Sequence, residues 1–325
     1  MRLKRCETTV YHCISRLVGG EHLLDDGARE VMRKMLWKVA GFSGVQVLAY
    51  CIMSNHIHIL VRVPEAGHEV LSREELLRRY RLIYGEGYRG VFPAPDKLAV
   101  VFAEDTEEAH QWEARLRARM HDVSAFMKTL KQRFSWWYNH THQRFGTLWA
   151  ERFKSVLVED DPHTLAMVAA YLDLNPVRAG MVTDPAAYRW SSYGEAMGGE
   201  AFARAGLASV VGQHSWSEEA AADYRMVLYG KGGQGRVGEE GAIDTERVRA
   251  VLMAGGRVST AEILRCRVRY LSAGAIIGSQ EFVRSAGAAL IKPREQKHPK
   301  LFGKLPINGP VPLHSWRRLQ KTPVC

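Results

Sequence analysis

In the apolar run from Ala49 to Val63, two histidines, His56 and His58, flank a single isoleucine among β-branched residues. A strand sends alternate side chains to opposite faces, so His56 and His58 share one surface while Ile57 and Ile59 point to the other. Neutral imidazole is a common ligand for divalent metals, and two neighbours on one face need little ordering to share an ion. Much further along, Tyr171 and Asn175 lie four residues apart, which makes them neighbours on one side of a helix. Two imidazoles, a phenol and an amide oxygen suit one chemistry. A metal polarises a phosphodiester, the phenolate attacks phosphorus as a covalent nucleophile, and Asn175 adds a third ligand through its side-chain oxygen.

These groups need a frame to bring them together. Residues 8–17 read as a first strand, broken by Gly19 and Gly20. Residues 25–41 carry Val31, Met35, Leu36 and Val39 at helical spacing, and two strands follow at 45–53 and 57–63 across the polar turn Ser54-Asn55. Strand, helix, strand, strand is an α+β beginning. Residues 69–121 are charged and mostly helical, and read as an insertion over the sheet that serves as a lid or DNA-facing arm, or else as a solvated helical hairpin. A helix over 122–138, capped by Asp122 or Ser124, has Phe126, Met127, Leu130, Phe134 and Trp137 along its apolar stripe and Lys128, Lys131 and Arg133 elsewhere. Residues 144–158 interleave aromatic and basic side chains around a final strand from about Phe153, the chemistry that holds single-stranded nucleic acid, although Trp149 also suits a core. Asp160, Asp161 and Pro162 start the helix that carries Tyr171, and Pro176 is expected to end it at Asn175. Two other candidates are weaker. His140 and His142 fall at a helix end, where positions i and i+2 diverge, and Tyr138 has no partner ligand.

Three stretches together resemble the single-tyrosine HUH transposases of the bacterial IS200-like insertion sequences, and within them the REP-associated tyrosine transposases. They are Ser54 to Leu60, Gly146 to Lys154, and Tyr171-Leu-Asp-Leu-Asn-Pro-Val-Arg-Ala-Gly180. The resemblance covers about residues 8–193, with Ser54 where the family commonly has proline. It implies a ferredoxin-like antiparallel sheet with packed helices on one side and a Mg²⁺ or Mn²⁺ ion on the histidines. It also implies single-stranded DNA with hairpin or repeat ends as substrate, a homodimer, and cleavage that leaves a 5′-phosphotyrosine and a free 3′-hydroxyl. Residue by residue, His56 and His58 match the metal-binding pair, Tyr171 the nucleophile and Asn175 the polar ligand. Lys128, Lys131, Arg133, Trp149, Arg152, Lys154 and Arg178 are the candidate DNA contacts. The rival reading is a non-mobile, domesticated protein, either a DNA-binding regulator that keeps the fold and basic tail but no longer cleaves, or a processor of repeat sequences.

The whole chain agrees with an anionic partner. Its net charge is +10, and residues 284–325 hold nine Lys or Arg against the one acid Glu295, a balance of +8 within that tail. With 46% hydrophobic and 25% charged residues the 325-residue chain has the composition of a folded soluble protein, which excludes wholesale disorder. No apolar run reaches the length of a membrane span, the N-terminus lacks a secretory hydrophobic segment, and the five scattered cysteines form no Cys-x-x-Cys, so a cytoplasmic protein with reduced thiols is expected. The expected organisation is a catalytic domain over 1–195 with its insertion at about 66–121, a helical segment and Gly-rich linker over 196–240, and a helical DNA-binding module with the basic tail over 241–325.

Overall fold

The computed structural model describes residues 8–65, 71–85, 92–232, 243, 246, 248, 249, 253, 274–290, 302–304 and 314–317. In chain order the elements are β1 (Thr9–Arg16), α1 (Asp26–Ser43), β2 (Gln46–Ile52), β3 (His56–Val63), α2 (Arg73–Tyr84), α3 (Pro95–Ala103), α4 (Glu107–Arg117), α5 (Val123–Thr141) and β4 (Lys154–Val158). They continue with α6 (Pro162–Asp173), α7 (Asn175–Arg178), α8 (Ser192–Met197), α9 (Ala201–Val210), α10 (Glu218–Gly232), β5 (Gly274–Gly278), α11 (Gln280–Leu290), β6 (Phe302–Lys304) and β7 (His314–Arg317).

The sheet order is β2-β3-β1-β4-β5-β7-β6. Its first four strands are antiparallel throughout and follow the βαββαβ path of a ferredoxin-like unit, with α1 and α5 as the two crossover helices. Pairing fixes the faces. Tyr11, Cys13, Ile57, Ile59 and Val61 turn to one side, where they meet Met32, Leu36 and Val39 of α1 and Phe126, Leu130 and Phe134 of α5. Val10, Leu48, Leu60, Val156 and Val158 turn to the other, against Leu165, Val168, Ala169 and Leu172 of α6.

Helices therefore cover both faces. The expected one-sided arrangement holds for the crossover helices α1 and α5, and α6 is added opposite them. From Thr164 to Asp173 every residue of α6 is buried, because Tyr193 of α8, Leu207 of α9 and Tyr224 and Leu228 of α10 cover the side that the sheet leaves open. A helix apolar on all sides is one buried on all sides. Its start is as expected: Asp161 accepts hydrogen bonds from the backbone N–H groups of His163 and Thr164, and Pro162 opens the first turn.

The insertion is a packed layer rather than a lid over the histidines. Leu76, Tyr80 and Ile83 of α2, Leu98 and Phe102 of α3 and Leu116 of α4 all join the core on the α1 side, opposite α6. The C-terminal part also departs from an all-helical module. Gly274–Gly278 pairs parallel with β4, and β7 pairs with both β5 and β6. A five-residue run such as Gly-Ala-Ile-Ile-Gly is too short for periodicity to separate strand from helix. Gly230 to Gly232 close α10, while the rest of the expected linker, most of the expected helix at 243–253 and the one at 259–269 lie outside the described residues. Among the described residues no helix is long and apolar enough to cross a membrane.

Candidate active site

β1 and β3 run antiparallel with Ile14 opposite His58, His12 opposite Leu60 and Arg16 opposite His56. Alternation then puts Val10, His12, Ile14 and Arg16 on the face that carries His56 and His58. His12 completes a trio that sequence reading overlooked. It is fully buried, and its Nε2 lies 2.9 Å from Nδ1 of His58, which is itself 3% exposed. The two rings stack at 5.2 Å, and His56 meets His58 edge-on at 4.9 Å. The signal was available in the two-residue period of β1. What was missing was the strand pairing that brings β1 beside β3 in phase.

The hydrogen bonds of the two ligand candidates leave them ready for a cation. Nδ1 of His56 lies 2.6 Å from Oδ1 of Asn55, an oxygen that only accepts, so the proton belongs on Nδ1 and the lone pair on Nε2. The same tautomer at His58, donating from Nδ1 to His12, leaves its Nε2 open as well. Burial holds His56 at about 4, with Arg16 and His22 adding to the effect. Burial, with His12, His56 and Arg16, pushes His58 well below the ordinary imidazole value. Both are neutral at pH 7, the form that binds metal. Among the described residues no group of three or more His, Cys, Asp or Glu could hold an ion, so any third protein ligand is of another kind.

Asn175, the expected third ligand, offers an amide oxygen. The structure corrects the expected helix end: α6 stops at Asp173, and Asn175 and Pro176 begin the short helix α7. Pro176 has no N–H for the Leu172 carbonyl four residues back. The Asn175 side chain fills the gap, its Nδ2 donating to the carbonyls of Leu172 at 3.2 Å and Tyr171 at 3.0 Å. That spends the amide nitrogen on the helix end and leaves Oδ1 for a ligand. Two imidazole nitrogens and one amide oxygen fit a divalent cation whose remaining positions go to water and phosphate.

Tyr171, 2% exposed as a residue, brings its ring edge-on to His58 at 5.7 Å and to His12 at 6.1 Å. The Arg178 guanidinium lies over the same ring at 5.3 Å. Burial raises the phenol above its ordinary value, while Arg178 and Arg16 act to lower it. A phenol, two imidazoles and two cations thus share one end of the sheet.

The other expected DNA contacts are scattered. Lys128, Lys131 and Arg133 belong to α5, whose stripe packs on the face opposite the histidines. Lys131 donates to the Glu151 carbonyl at 2.8 Å, sits 5.0 Å from the Trp149 ring, and is brought down to about 8 by burial, with Glu151 opposing. Arg133 lies over Tyr84. Arg152 is exposed, and Lys154 pairs with Glu151 at 3.0 Å. Trp149 is a core residue, not a stacking platform: it is 8% exposed, and its indole N–H donates to Ser135 Oγ at 2.8 Å. The exposed ring of this stretch is Phe145, at 94%. Backbone bonds from Ala150 to Arg16, from Val18 to Leu148 and from Leu17 to Asn55 hold the stretch beside the end of β1 and β3, where Arg16 and His56 lie. The weaker candidates are structural. Tyr138 donates to the Leu23 carbonyl at 2.9 Å, His142 stacks on Tyr138 and His140 on Trp136.

Residues 6–70 match the family model for IS200-like transposases. This stretch is about a fifth of the chain. It contains His12, Arg16, His56 and His58, and it ends well before Tyr171 and Asn175, so the transposase signature covers the imidazole half of the site. A solved structure of a REP-associated tyrosine transposase bound to a REP hairpin is similar over 60% of this chain and 82% of that one, at 13% identity and a TM-score of 0.38. No match is found among curated proteins.

Proposed function

We propose that the protein is a transposase of the single-tyrosine kind, nicking and joining single-stranded DNA at hairpin or repeat ends through a covalent bond to Tyr171. The observation that carries this reading is the placement of the Tyr171 ring against His58 and His12, from elements far apart in sequence. His56, His58 and Asn175 would hold Mg²⁺ or Mn²⁺, which when bound supplies Lewis-acid polarisation of the phosphodiester.

The chain's own groups do the rest. Packing of α6 between the sheet and α8 to α10 fixes the position of the Tyr171 hydroxyl, which removes the entropy of finding the phosphate. The hydroxyl gives up its proton to water and its oxygen bonds to phosphorus. The bond from phosphorus to the 3′ oxygen breaks, and that oxygen keeps the electron pair and takes up a proton. The products are a 5′-phosphotyrosine and a free 3′-hydroxyl, and attack by another 3′-hydroxyl on the phosphotyrosine completes strand transfer. By the same resemblance the working unit is a homodimer acting in the cytoplasm.

The test is incubation with 5′- and 3′-labelled single-stranded hairpins and Mn²⁺, followed by a denaturing gel. Wild type is expected to give a covalent adduct on the fragment with the 5′ phosphate, lost with chelator and in Tyr171→Phe, while Tyr171→Phe keeps its hairpin affinity. Tight binding to hairpins without any adduct would replace this reading with a DNA-binding regulator.

A further inference from the structure

Among the described residues no acid forms an ion pair with Arg178. Its guanidinium lies over the Tyr171 ring at 5.3 Å, and its Nη1 is buried with no hydrogen-bond partner. Elsewhere Arg33 is paired with Glu30 and Glu195, Arg62 with Asp160 and Arg29 with Asp26, while Arg119, whose Nη1 is also without a hydrogen-bond partner, lies over the rings of Phe42, Tyr84 and Phe92. A well-covered guanidinium with no acid beside it is costly to desolvate, and an arriving anion offsets that cost. The local chain is built to hold it there. Asn175 ties off the carbonyls of Tyr171 and Leu172, Pro176 opens α7, and the Arg178 backbone N–H donates to the Leu174 carbonyl, which returns the side chain to the last turn of α6.

We infer that Arg178 binds the non-bridging oxygens of the phosphodiester that Tyr171 attacks. The assignment rests on the nuclease reading above and deepens it. A guanidinium is planar and offers paired N–H donors matched to two phosphate oxygens, so it both orients the phosphorus toward the phenol and meets the charge that builds on those oxygens during attack. Stacking on the Tyr171 ring sets the distance between cation and nucleophile.

The test separates this role from packing. Wild-type cleavage first maps the scissile position. Binding is then measured by anisotropy in a Tyr171→Phe background, using the natural hairpin and one with a neutral methylphosphonate at that position. Loss of the charge is expected to weaken binding about 10- to 100-fold, the value of hydrogen bonds to a charged group. In Tyr171→Phe with Arg178→Met, which keeps the apolar stem, the two hairpins are expected to bind equally. Arg178→Gln serves as a second variant should the first unfold, and Arg178→Lys should retain part of the discrimination. If wild type cleaves but the methylphosphonate penalty persists without the guanidinium, the inference about Arg178 alone is overturned. If wild type forms no adduct on any hairpin, the nuclease reading falls and this inference with it.

Discussion

Which ring nitrogen of His58 stays free is set by the residue behind it. With Nδ1 engaged by His12 at 2.9 Å, only Nε2 is left to face the substrate side, and the ring cannot turn without breaking a buried hydrogen bond. Removal of His12 should therefore act through the metal. His12→Ala is expected to lower Mn²⁺ affinity about 10- to 100-fold, the range for lost support of a ligating imidazole. His12→Gln, whose amide oxygen can still accept, should recover part of it. Titration followed by the Mn²⁺ electron paramagnetic resonance signal checks this without any cleavage, and equal affinity in wild type and His12→Ala would remove His12 from the site. Asn55 plays the corresponding part for His56 from the turn before β3.

At the scale of elements, the helix that presents Tyr171 is anchored by a buried acid. Asp173 is inaccessible to solvent, accepts hydrogen bonds from the Tyr193 backbone N–H and the Tyr224 hydroxyl, and so joins α6 to α8 and α10. Burial raises it to about 7, with those hydrogen bonds opposing. A carboxyl whose folded value lies above its unfolded one binds its proton more tightly in the native state. Its contribution is present in full below about pH 4 and is lost as the pH rises through about 7. Wild type should thus lose stability relative to Asp173→Asn between pH 4 and 7.5, by at most on the order of 4 kcal/mol for a shift of this size. Urea unfolding of both proteins at each pH measures the difference, and a constant gap would show that Asp173 stays ionised. By joining α6 to α8 and α10, the acid helps to set where Tyr171 stands.

At the scale of the whole molecule, charge is uneven. The tail from residue 284 carries most of the net positive charge, whereas the arginines of the core are largely tied to carboxylates. If the tail meets DNA, replacing Lys292, Arg294, Lys297 and Lys300 by glutamine should weaken hairpin binding. It should also make the plot of log affinity against log salt shallower by up to about 3, at roughly 0.7 per lost phosphate contact on a single strand. An unchanged slope would mean that the tail does not contact phosphate. The proposed cleavage, which draws on groups of β1, β3 and α6, should survive the change once DNA is supplied at saturation.

Local periodicity carried much of this protein. The alternation in Ile57 to Val63 was enough to put His56 and His58 on one face, the Asp161-Pro162 start was enough to place α6, and the four-residue spacing was enough to pair Tyr171 with Asn175. These are consequences of backbone geometry within a few residues, which any stretch of sequence displays on its own. The rest depended on which surfaces meet. Only strand pairing brought His12 and Arg16 to the histidine face. Only packing sent Trp149 inward and left Phe145 outside, laid the insertion behind α1, and turned Asn175 from a simple terminator into the clasp of a helix end. Only the closing of α6 onto the sheet put Tyr171 against His58 and left Arg178 half-buried over that ring, with no acid paired to it among the described residues. Such contacts join residues far apart in the chain, so no local pattern encodes them, and the burial that makes each side chain's partner matter exists only once the two faces of the sheet are covered.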